Sequence, residues 1–452
     1  MIRRVSFSAR KRMRAVSTWV LVLWAGLALA ATPARTPTGA LQAGNADGSI
    51  PAWTGGLTQA PAGFRPGGFH VDPFANDVPL QIIDSAAAAH LGDALTAGQQ
   101  ALFARYPDTF RMHIYPSRRT HAMPEWLYES TARNHQEARL SADGNGLAHV
   151  LPGIPFPQPR NGLEAVWNHL LRWRGTFIDR VEVEGNVYEN GTRNLYRSKQ
   201  EIGFATYRRT TGELPGRADI LLYYSSFMIE PAHLAGGGFL LVDTLDQSRQ
   251  PRLAWNYDPA ERRVRRVPYA ELDSPAVLSD NLRTVDDTDL FSGTPAYYEW
   301  TLDGLEEHWI PYNNYRLPLA SQDALLTPFH LNPAYVRWEK HRVWKVTGRL
   351  REGRQHSVPL RIFYIDEDSW AIVISESYNA RGELIRVGLA HPANFYDVPM
   401  TLTVADVFHD LRSRRYNVKA LLNGEPSPGR YDGPMPPDSH FQPAQLRQRA
   451  VR

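Results

Sequence analysis

The sequence predicts an α+β fold in which antiparallel β-strands predominate. Helical spacing of apolar residues is confined to the part of the chain before about residue 175. Beyond it, β-branched and aromatic runs bounded by turn residues occur in two sets, at 181–267 and 341–387. Short turns join the successive runs of the second set, which is typical of an antiparallel meander. The two sets could be successive parts of one sheet.

The start of the chain has the three parts of a secretory signal sequence. Residues 3–14 are rich in arginine, residues 15–30 form an uncharged apolar run, and the run ends at Ala30 in a small-x-small motif. A membrane anchor is the alternative, but the run is shorter than the roughly 20 residues that a spanning helix needs. We expect a signal peptide at 1–30, cleavage near Ala30 and a periplasmic product, with the export route left open.

Charge and cysteine content exclude several classes of function. The chain has a formal charge of +3, and six of its basic residues lie in the predicted signal peptide, so the mature charge is −3. No basic run interleaved with aromatic residues remains, so no nucleic-acid partner is expected. The absence of cysteine rules out thiolate metal sites, cysteine nucleophiles and acylation as a lipoprotein. We therefore expect a soluble, unanchored protein without a cofactor.

Residues 31–83 are predicted to form an extended arm. They are rich in Gly, Pro, Asn and Asp and show little periodicity. Spaced aromatic residues favour an arm anchored on a folded body over a disordered segment. The candidate anchors are Trp53, Phe64, Phe69 and Phe74.

Three helical segments follow the arm. The first, over 84–106, begins at an aspartate that can cap it, and the second lies within 117–140. The third runs from its predicted N-cap Asn161 to Arg172 and ends before Gly175.

The rest of the chain is predicted to consist of strands and loops. The clearest hairpin pairs residues 252–257 with 262–267, and the meander at 341–387 has at least four strands. Residues 268–338 are expected to be loops. The Pro- and Gly-rich segment 423–452 is expected to be a loosely ordered tail.

Carboxylates are concentrated in two segments, at 286–289 and 366–368. Asp286, Asp287 and Asp289 offer oxygen ligands of the kind that Ca²⁺ or Mg²⁺ prefers, and they are the candidates should a metal bind. The EF-hand spacing is absent, so a solvated or arginine-paired loop is favoured and no metal is expected. The acids at 366–368 read as ordinary turn residues between two strands. Motifs of serine hydrolases, P-loop proteins and zinc proteases are absent, so no catalytic residue is assigned.

Several tryptophans are candidates for binding a ligand. Exported carbohydrate binders and carriers of apolar molecules both use flat aromatic side chains, although core filling is favoured for any single one. The candidates are Trp126, Trp167, Trp338 and Trp344.

A series of motifs between Gly44 and Val387 identifies a family resemblance. The motifs include GNADGSIPAWTGG, DPFANDVPL, GQQALFARYPDTFRMHIYPSRR, GIPFPQPRNGLEAVWNHLLRWRG, DNLRTVDDTDLFSGTPAYYEW, IPYNNYRL, HLNPAYVRWEKHRVWKV and FYIDEDSWAI. They resemble a proteobacterial family of exported proteins known as a domain of unknown function, related to the outer-membrane lipoprotein-sorting (LolA/LolB-like) fold. The resemblance implies an unclosed, strongly curved β-barrel around helices over 84–422, with helical insertions and an apolar cavity.

The resemblance also implies a function. Family genes commonly neighbour an inner-membrane exporter and another outer-membrane family, which implies a carrier of a hydrophobic ligand such as a lipid, a lipoprotein acyl chain or an exporter substrate. The loops at 268–338 or the arm at 31–80 are candidate lids. The alternatives are an envelope hydrolase that uses the acids at 286–289 with a metal, and a scaffold of an export complex. An all-apolar tunnel under the sheet would argue against the hydrolase, and a filled core would argue against the carrier.

Overall fold

The computed structural model describes most of the chain after the predicted signal peptide. The described residues are 33–141, 144–208, 220–247, 249–267 and 273–450. The signal peptide and its cleavage site, predicted for 1–30, lie outside them.

Strands make up most of the regular structure. In chain order they are β1 (Gln81–Ile83), β2 (Met112–Ile114), β3 (Arg139–Leu140), β4 (Leu147–Ala148), β5 (Phe177–Val187), β6 (Arg193–Phe204), β7 (Ile220–Glu230), β8 (Gly238–Thr244), β9 (Leu253–Asp258), β10 (Arg263–Arg266), β11 (Tyr298–Pro311), β12 (Trp338–Leu350), β13 (Leu360–Asp366), β14 (Ile372–Tyr378), β15 (Leu384–Phe395), β16 (Met400–Asp410) and β17 (Arg415–Leu421).

Short helices lie between and after the strands. The α-helices are α1 (Ser85–Ala88), α2 (Ala97–Arg105), α3 (Glu125–Glu137), α4 (Gly162–Leu171), α5 (Gln322–Leu325) and α6 (Pro443–Ala450). Single turns of 3₁₀-helix occupy Gly92–Ala94, Ala205–Tyr207, Val285–Leu290, Pro295–Tyr297, Leu317–Leu319, Pro333–Tyr335 and Asp438–Phe441.

One large sheet contains all of these strands except β3 and β4, which pair with each other. Its order is β1-β2-β12-β13-β14-β15-β16-β17-β5-β6-β7-β8-β9-β10, and β11 pairs with β12 along the whole length of β12. The expectation that 268–338 consists of loops is therefore wrong for β11. The neighbours are antiparallel apart from β2 and β12, which meet in parallel at Ile114 and Trp338. Within the described residues β10 and β11 do not pair with each other, so the barrel is unclosed. The predicted mainly antiparallel α+β fold is confirmed, and the pairing of β17 with β5 joins the two strand sets.

Helix α4 is buried along almost its whole length and packs against β11 and β12. Asn161 caps it as predicted, because its side chain accepts a hydrogen bond from the Glu164 amide. Gly162 lies so close to β11 that a Cβ there would be within 2.9 Å of the Thr301 backbone. At the other end the buried His169 ring accepts a hydrogen bond at Nδ1 from the Ile372 amide of β14, at 3.0 Å. Burial lowers the pKa of His169 to about 3, so the ring is neutral and structural.

The segment before β1 contacts the folded body through its aromatic residues. The Trp53 indole donates a hydrogen bond to the His121 carbonyl at 3.0 Å. Phe64 packs edge-on against Tyr396, with ring centroids 5.1 Å apart. Arg118 lies over the Phe74 ring at 5.3 Å. Three of the four aromatic residues proposed as anchors therefore touch the body.

The helix predicted over 84–106 is interrupted. Asp84 caps α1 through a hydrogen bond from the Ala87 amide. Gly92 then has a positive φ of 48°, and Thr96 starts α2 with its own capping box to Gln99. A new cap inside an alanine-rich run divides it, so two helices form where the periodicity predicts one.

The segment after 423 differs from the loosely ordered tail that its composition predicts. The Phe441 ring stacks on Tyr223 with centroids 4.6 Å apart. Leu446 of α6 is buried, and with Phe227 and Leu240 it belongs to a second, smaller core against β7 and β8. Two apolar residues in a polar segment are enough to dock it, and the overall composition hides them.

Candidate functional site

A cavity of about 300 Å³ lies beside α3 and the end of α4. This volume is at the lower limit of ordinary small-molecule sites, which measure roughly 300–1,000 Å³. The lining is mixed: apolar residues form slightly more than half of it, and Arg133, Glu137, His149, Thr206 and Tyr207 carry polar groups. The other lining residues are Leu147, Val150, Leu151, Pro152, Gly153, Leu171 and Leu245.

Two buried polar side chains of α3 hold one wall of the cavity in place. Asn134 donates to the Leu151 carbonyl at 2.9 Å and accepts from the Leu151 amide at 2.8 Å. Thr131 accepts from the Ile154 amide at 3.1 Å. Gly153 has a φ of 126°, and a Cβ there would be 2.6 Å from the Thr131 hydroxyl. The wall is fixed by hydrogen bonds to its backbone, which leaves its side chains to face the cavity.

Other aromatic rings pack behind the lining residue Tyr207. Tyr207 is buried and donates its hydroxyl hydrogen to the Leu171 carbonyl. Burial raises the pKa of Tyr207 well above its usual range, so the ring stays neutral. Trp173 packs edge-on against Tyr207 at 4.9 Å, and Trp126 packs edge-on against Trp173 at 6.0 Å.

Two of the candidate tryptophans are buried in the core, and two are half-buried against it. Trp126 packs on Trp173, which packs on the lining residue Tyr207, and Trp167 is 1% exposed within α4. Trp338 borders a separate void of about 20 Å³, the size of one water molecule. Trp344 stacks on Trp370 with centroids 6.4 Å apart. The lining of the larger cavity includes none of the four candidates among the described residues.

The acidic run at 286–289 is held by arginines from distant parts of the chain. Arg361 donates to Asp286 at 2.7 Å and to Asp287 at 3.2 Å, and Arg386 donates to Asp287 at 2.5 Å. Burial acts to raise the pKa of Asp286, but the Arg361 charge and hydrogen bonds from His356 and Thr284 outweigh it and hold the pKa below its usual range.

Asp289 is paired in the same way. Arg172 and Arg174 each donate to it at 2.5 Å. Burial again acts to raise the pKa of Asp289, and the two guanidinium groups lower it further than burial raises it. Each of the three aspartates therefore has a guanidinium partner, which agrees with the arginine-paired loop that the sequence favours.

The same segment fills the space under the sheet. The turn Val285–Leu290 packs against β14 and β15 beside α4. Phe291 continues the filling, with its ring centroid 5.4 Å from those of Trp300 and Phe363. Among the described residues, the space between α4, β14 and β15 is therefore occupied by the protein's own side chains, and the 300 Å³ cavity lies elsewhere, beside α3.

A second acidic segment, at 366–368, is buried more deeply than a surface turn. Asp366, Glu367 and Asp368 are 0%, 2% and 3% exposed. Arg119 donates two hydrogen bonds to Asp368, at 2.6 and 2.9 Å. Burial raises the pKa of Glu367 to about 7. The acids lie at a turn between β13 and β14, as the sequence predicts, but the turn is buried because residues from the arm and from β12 cover it.

Comparison with known proteins identifies the family. A sequence family described as "Protein of unknown function (DUF1329)" matches residues 82–447. The chain belongs to the DUF1329 family. An uncharacterized protein of Pseudomonas aeruginosa is 38% identical over 421 residues, which cover 92% of each chain. The family resemblance drawn from the motifs is thereby confirmed.

Solved structures resemble the DUF1329 chain at low sequence identity. A crystal structure of a domain assigned to outer membrane lipoprotein sorting in Vibrio parahaemolyticus has a TM-score of 0.44 and 12% identity, and covers 63% of this chain and 98% of its own. A DUF1329 family protein of Desulfovibrio piger has a TM-score of 0.41 and 14% identity, with coverage of 62% and 95%.

The family match contains both groups of residues described above. The cavity wall at 147–153 and the acidic turn at 366–368 lie within the DUF1329 region, whereas most of the arm precedes it. Among the described residues, no helix combines the length and apolar character needed to cross a membrane.

Sequence reasoning missed the cavity and the buried turn. The cavity is lined by residues from five separate segments, which no local pattern brings together. A signal for the turn does exist: the apolar runs 363–365 and 370–372 flank the acids directly. Acids between two fully buried strands indicate a buried turn more than an exposed one.

Proposed function

We propose that this DUF1329 protein is a periplasmic carrier that binds a hydrophobic or amphiphilic molecule in the cavity beside α3. Side chains fill the space between α4, β14 and β15, which argues against a ligand held there. The proposal therefore rests on the separate 300 Å³ cavity beside α3, whose lining combines apolar and polar residues. Apolar pockets with a few converging polar groups are the usual form of small-molecule sites. The periplasmic location rests on the predicted signal peptide.

The size of the cavity narrows the ligand class. A cavity of about 150 Å³ is enough for one benzene molecule, so 300 Å³ suits one acyl segment or a small exporter substrate. Each methylene group removed from water contributes about 0.8 kcal/mol, so even a short chain supplies measurable affinity. A lipoprotein with several acyl chains would need more room than this conformation has.

The polar lining residues favour a ligand with an anionic end. Arg133 is 63% exposed, and its guanidinium is 3.7 Å from the Glu137 carboxylate. An ion pair this exposed contributes little to stability, so the guanidinium can exchange its partner for a carboxylate or phosphate headgroup.

Transfer of the ligand between this protein and an exporter requires a surface through which the two proteins bind. Val78, Leu80 and Ile82 are 72%, 70% and 53% exposed, and they alternate along the segment that enters the edge strand β1. An exposed apolar stripe on an edge strand is typical of a protein-binding surface. It supports the proposed partnership with envelope proteins.

The hydrolase alternative has less support. It required the acids at 286–289 to bind a metal, and those carboxylates are paired with arginines. Ligand binding distinguishes the carrier from the scaffold alternative, because a scaffold needs no ligand.

The test is direct measurement of ligand binding. We expect native mass spectrometry of gently purified protein to show a co-purifying ligand, and a dansyl-labelled fatty acid to bind the stripped protein. Val150→Trp would fill the cavity and weaken fatty-acid binding roughly tenfold or more, a loss of about 1.4 kcal/mol for each tenfold change. Leu319→Trp, at a residue 57% exposed and outside the cavity, is the control. Equal binding by both variants, or no binding by the wild type, would refute the proposal.

A further inference from the structure

A group of potential metal ligands lies where β12 passes the acidic turn. His341 of β12, together with Asp366 and Asp368, offers one ligand atom per residue, and these atoms lie within 4.8 Å of one another. All three side chains are buried. One imidazole nitrogen and two carboxylate oxygens form a donor set that suits a divalent metal ion.

Asp366 provides an independent observation that points to a ligand. Its Oδ2 accepts hydrogen bonds from the Ser369 amide at 3.0 Å, the Ser369 hydroxyl at 2.5 Å and the Tyr312 hydroxyl at 3.3 Å. Its Oδ1 has no hydrogen-bond partner in the part of the chain that the structure describes, although the residue is 0% exposed. A buried carboxylate oxygen without a partner is costly, and a bound cation removes that cost.

Neighbouring side chains orient the potential ligands. The Glu339 carboxylate lies 3.1 Å from Nε2 of His341, and Arg119 fixes the Asp368 carboxylate with its two hydrogen bonds. Carboxylates that contact a ligating histidine are the usual outer layer of a metal site, because they fix the ring orientation and the tautomer.

The charges of the cluster also leave room for a cation. The described carboxylates are Glu339, Asp366, Glu367 and Asp368, and the guanidinium groups facing them are those of Arg119, Arg337 and Arg342. When all four carboxyl groups are ionised, the three guanidinium groups leave one negative charge uncompensated. A buried excess of negative charge is unfavourable unless a cation or a proton compensates it.

The arm covers this cluster directly. The Glu367 carboxylate accepts a hydrogen bond from the Leu41 amide at 2.6 Å. Arg119, which holds Asp368, also donates to the Gln42 carbonyl at 3.3 Å. The Trp370 indole, at the end of the turn, donates to the backbone of the arm at 2.9 Å. Whatever fixes the turn therefore fixes the arm.

We propose that His341, Asp366 and Asp368 bind one divalent transition-metal ion, and that the bound ion holds the arm against the turn. Zn²⁺ fits this donor set, since it accepts imidazole and carboxylate ligands and commonly has three protein ligands. Mg²⁺ and Ca²⁺ prefer sites made of oxygen ligands alone. The site is distinct from the cavity of the proposed carrier function and does not depend on it.

The experiment uses the full chain after stripping with a chelator and desalting. Titration with ZnCl₂, followed by elemental analysis of the desalted protein, is expected to give about one zinc ion per chain. Hydrogen exchange at the Leu41 amide is expected to slow when zinc is bound. Asp366→Asn and His341→Gln are each expected to weaken zinc binding roughly tenfold or more.

Glu376→Gln is the matched control, because Glu376 is also a fully buried carboxylate but lies outside the cluster and keeps an acceptor for the Gly98 amide. It is expected to bind zinc like the wild type. Absence of bound zinc in the wild type would overturn the proposal whether or not the variants fold. Retention of wild-type affinity by Asp366→Asn with an unchanged circular dichroism spectrum would overturn it as well.

Discussion

The acidic segments at 286–289 and 366–368 differ in how their charges are compensated. In the first, each aspartate is within hydrogen-bond distance of a guanidinium group, and the pKa of Asp286 is held below its usual range. In the second, Arg119 pairs with Asp368, but burial raises the pKa of Asp366 and of Glu367, and one oxygen of Asp366 has no partner among the described residues. The comparison separates acids that stabilise a fold from acids arranged to bind something.

The largest loss in the free energy of unfolding is expected from replacing Arg361, which pairs with two buried aspartates. Arg361→Met leaves Asp286 and Asp287 buried without that partner, and breaking a buried ion pair typically costs about 3–5 kcal/mol. Urea unfolding should show a loss of this size in the free energy of unfolding. Arg381→Ala, which breaks the exposed pair with Glu383, is the control and should cost about 1 kcal/mol or less. Similar losses in the two variants would mean that the 286–289 network does not stabilise the fold.

The fold could be predicted from the sequence, but the difference in charge compensation between the two acidic segments could not. Asn161 as a helix cap and the meander at 341–387 follow from local patterns, because neighbours in sequence are also neighbours in the structure. Compensation of a buried charge is not local: Arg361 is 75 residues from Asp286, and Arg119 is 249 residues from Asp368. No spacing rule in a single sequence indicates which acid will meet which arginine, so the two segments look alike until they fold.

A change of intermediate size in the free energy of unfolding is expected from the titration of Asp406. This residue lies near the 286–289 segment and has no ion pair of its own among the described residues. Burial, and then repulsion from Asp289, raises the pKa of Asp406 to about 7, against opposing effects of Lys419, Thr403 and Arg172. The folded state therefore keeps a proton that the unfolded state loses near pH 4. Stability should fall as the pH rises from about 4 to about 7, by up to about 4 kcal/mol, and should not fall further from this cause.

The check for Asp406 is a comparison of pH profiles. Asp406→Asn cannot ionise, so its free energy of unfolding should lack this decline while the other groups still contribute theirs. Chemical unfolding of both proteins between about pH 4.5 and pH 7.5 gives the difference. Parallel profiles for the wild type and the variant would show that Asp406 is already compensated in the folded state, as the acids at 286–289 are.

The smallest change in the free energy of unfolding is expected from replacing one aspartate by asparagine, and its sign should differ between the two segments. In protein stripped of metal, Asp366→Asn removes a buried charge, and the new amide keeps an acceptor for the Ser369 amide at one position and places a donor at the other. We expect the free energy of unfolding to rise by about 1 kcal/mol or to stay unchanged. In the 286–289 segment, Asp286→Asn removes the charge that pairs with Arg361. This substitution should lower the free energy of unfolding by about 2 kcal/mol or more. Added zinc should stabilise the wild type but not Asp366→Asn, because only the wild type keeps the charged ligand. Equal losses in the free energy of unfolding from the two substitutions would mean that Asp366 has a compensating partner of its own in the stripped protein. The two segments would then differ in position but not in function.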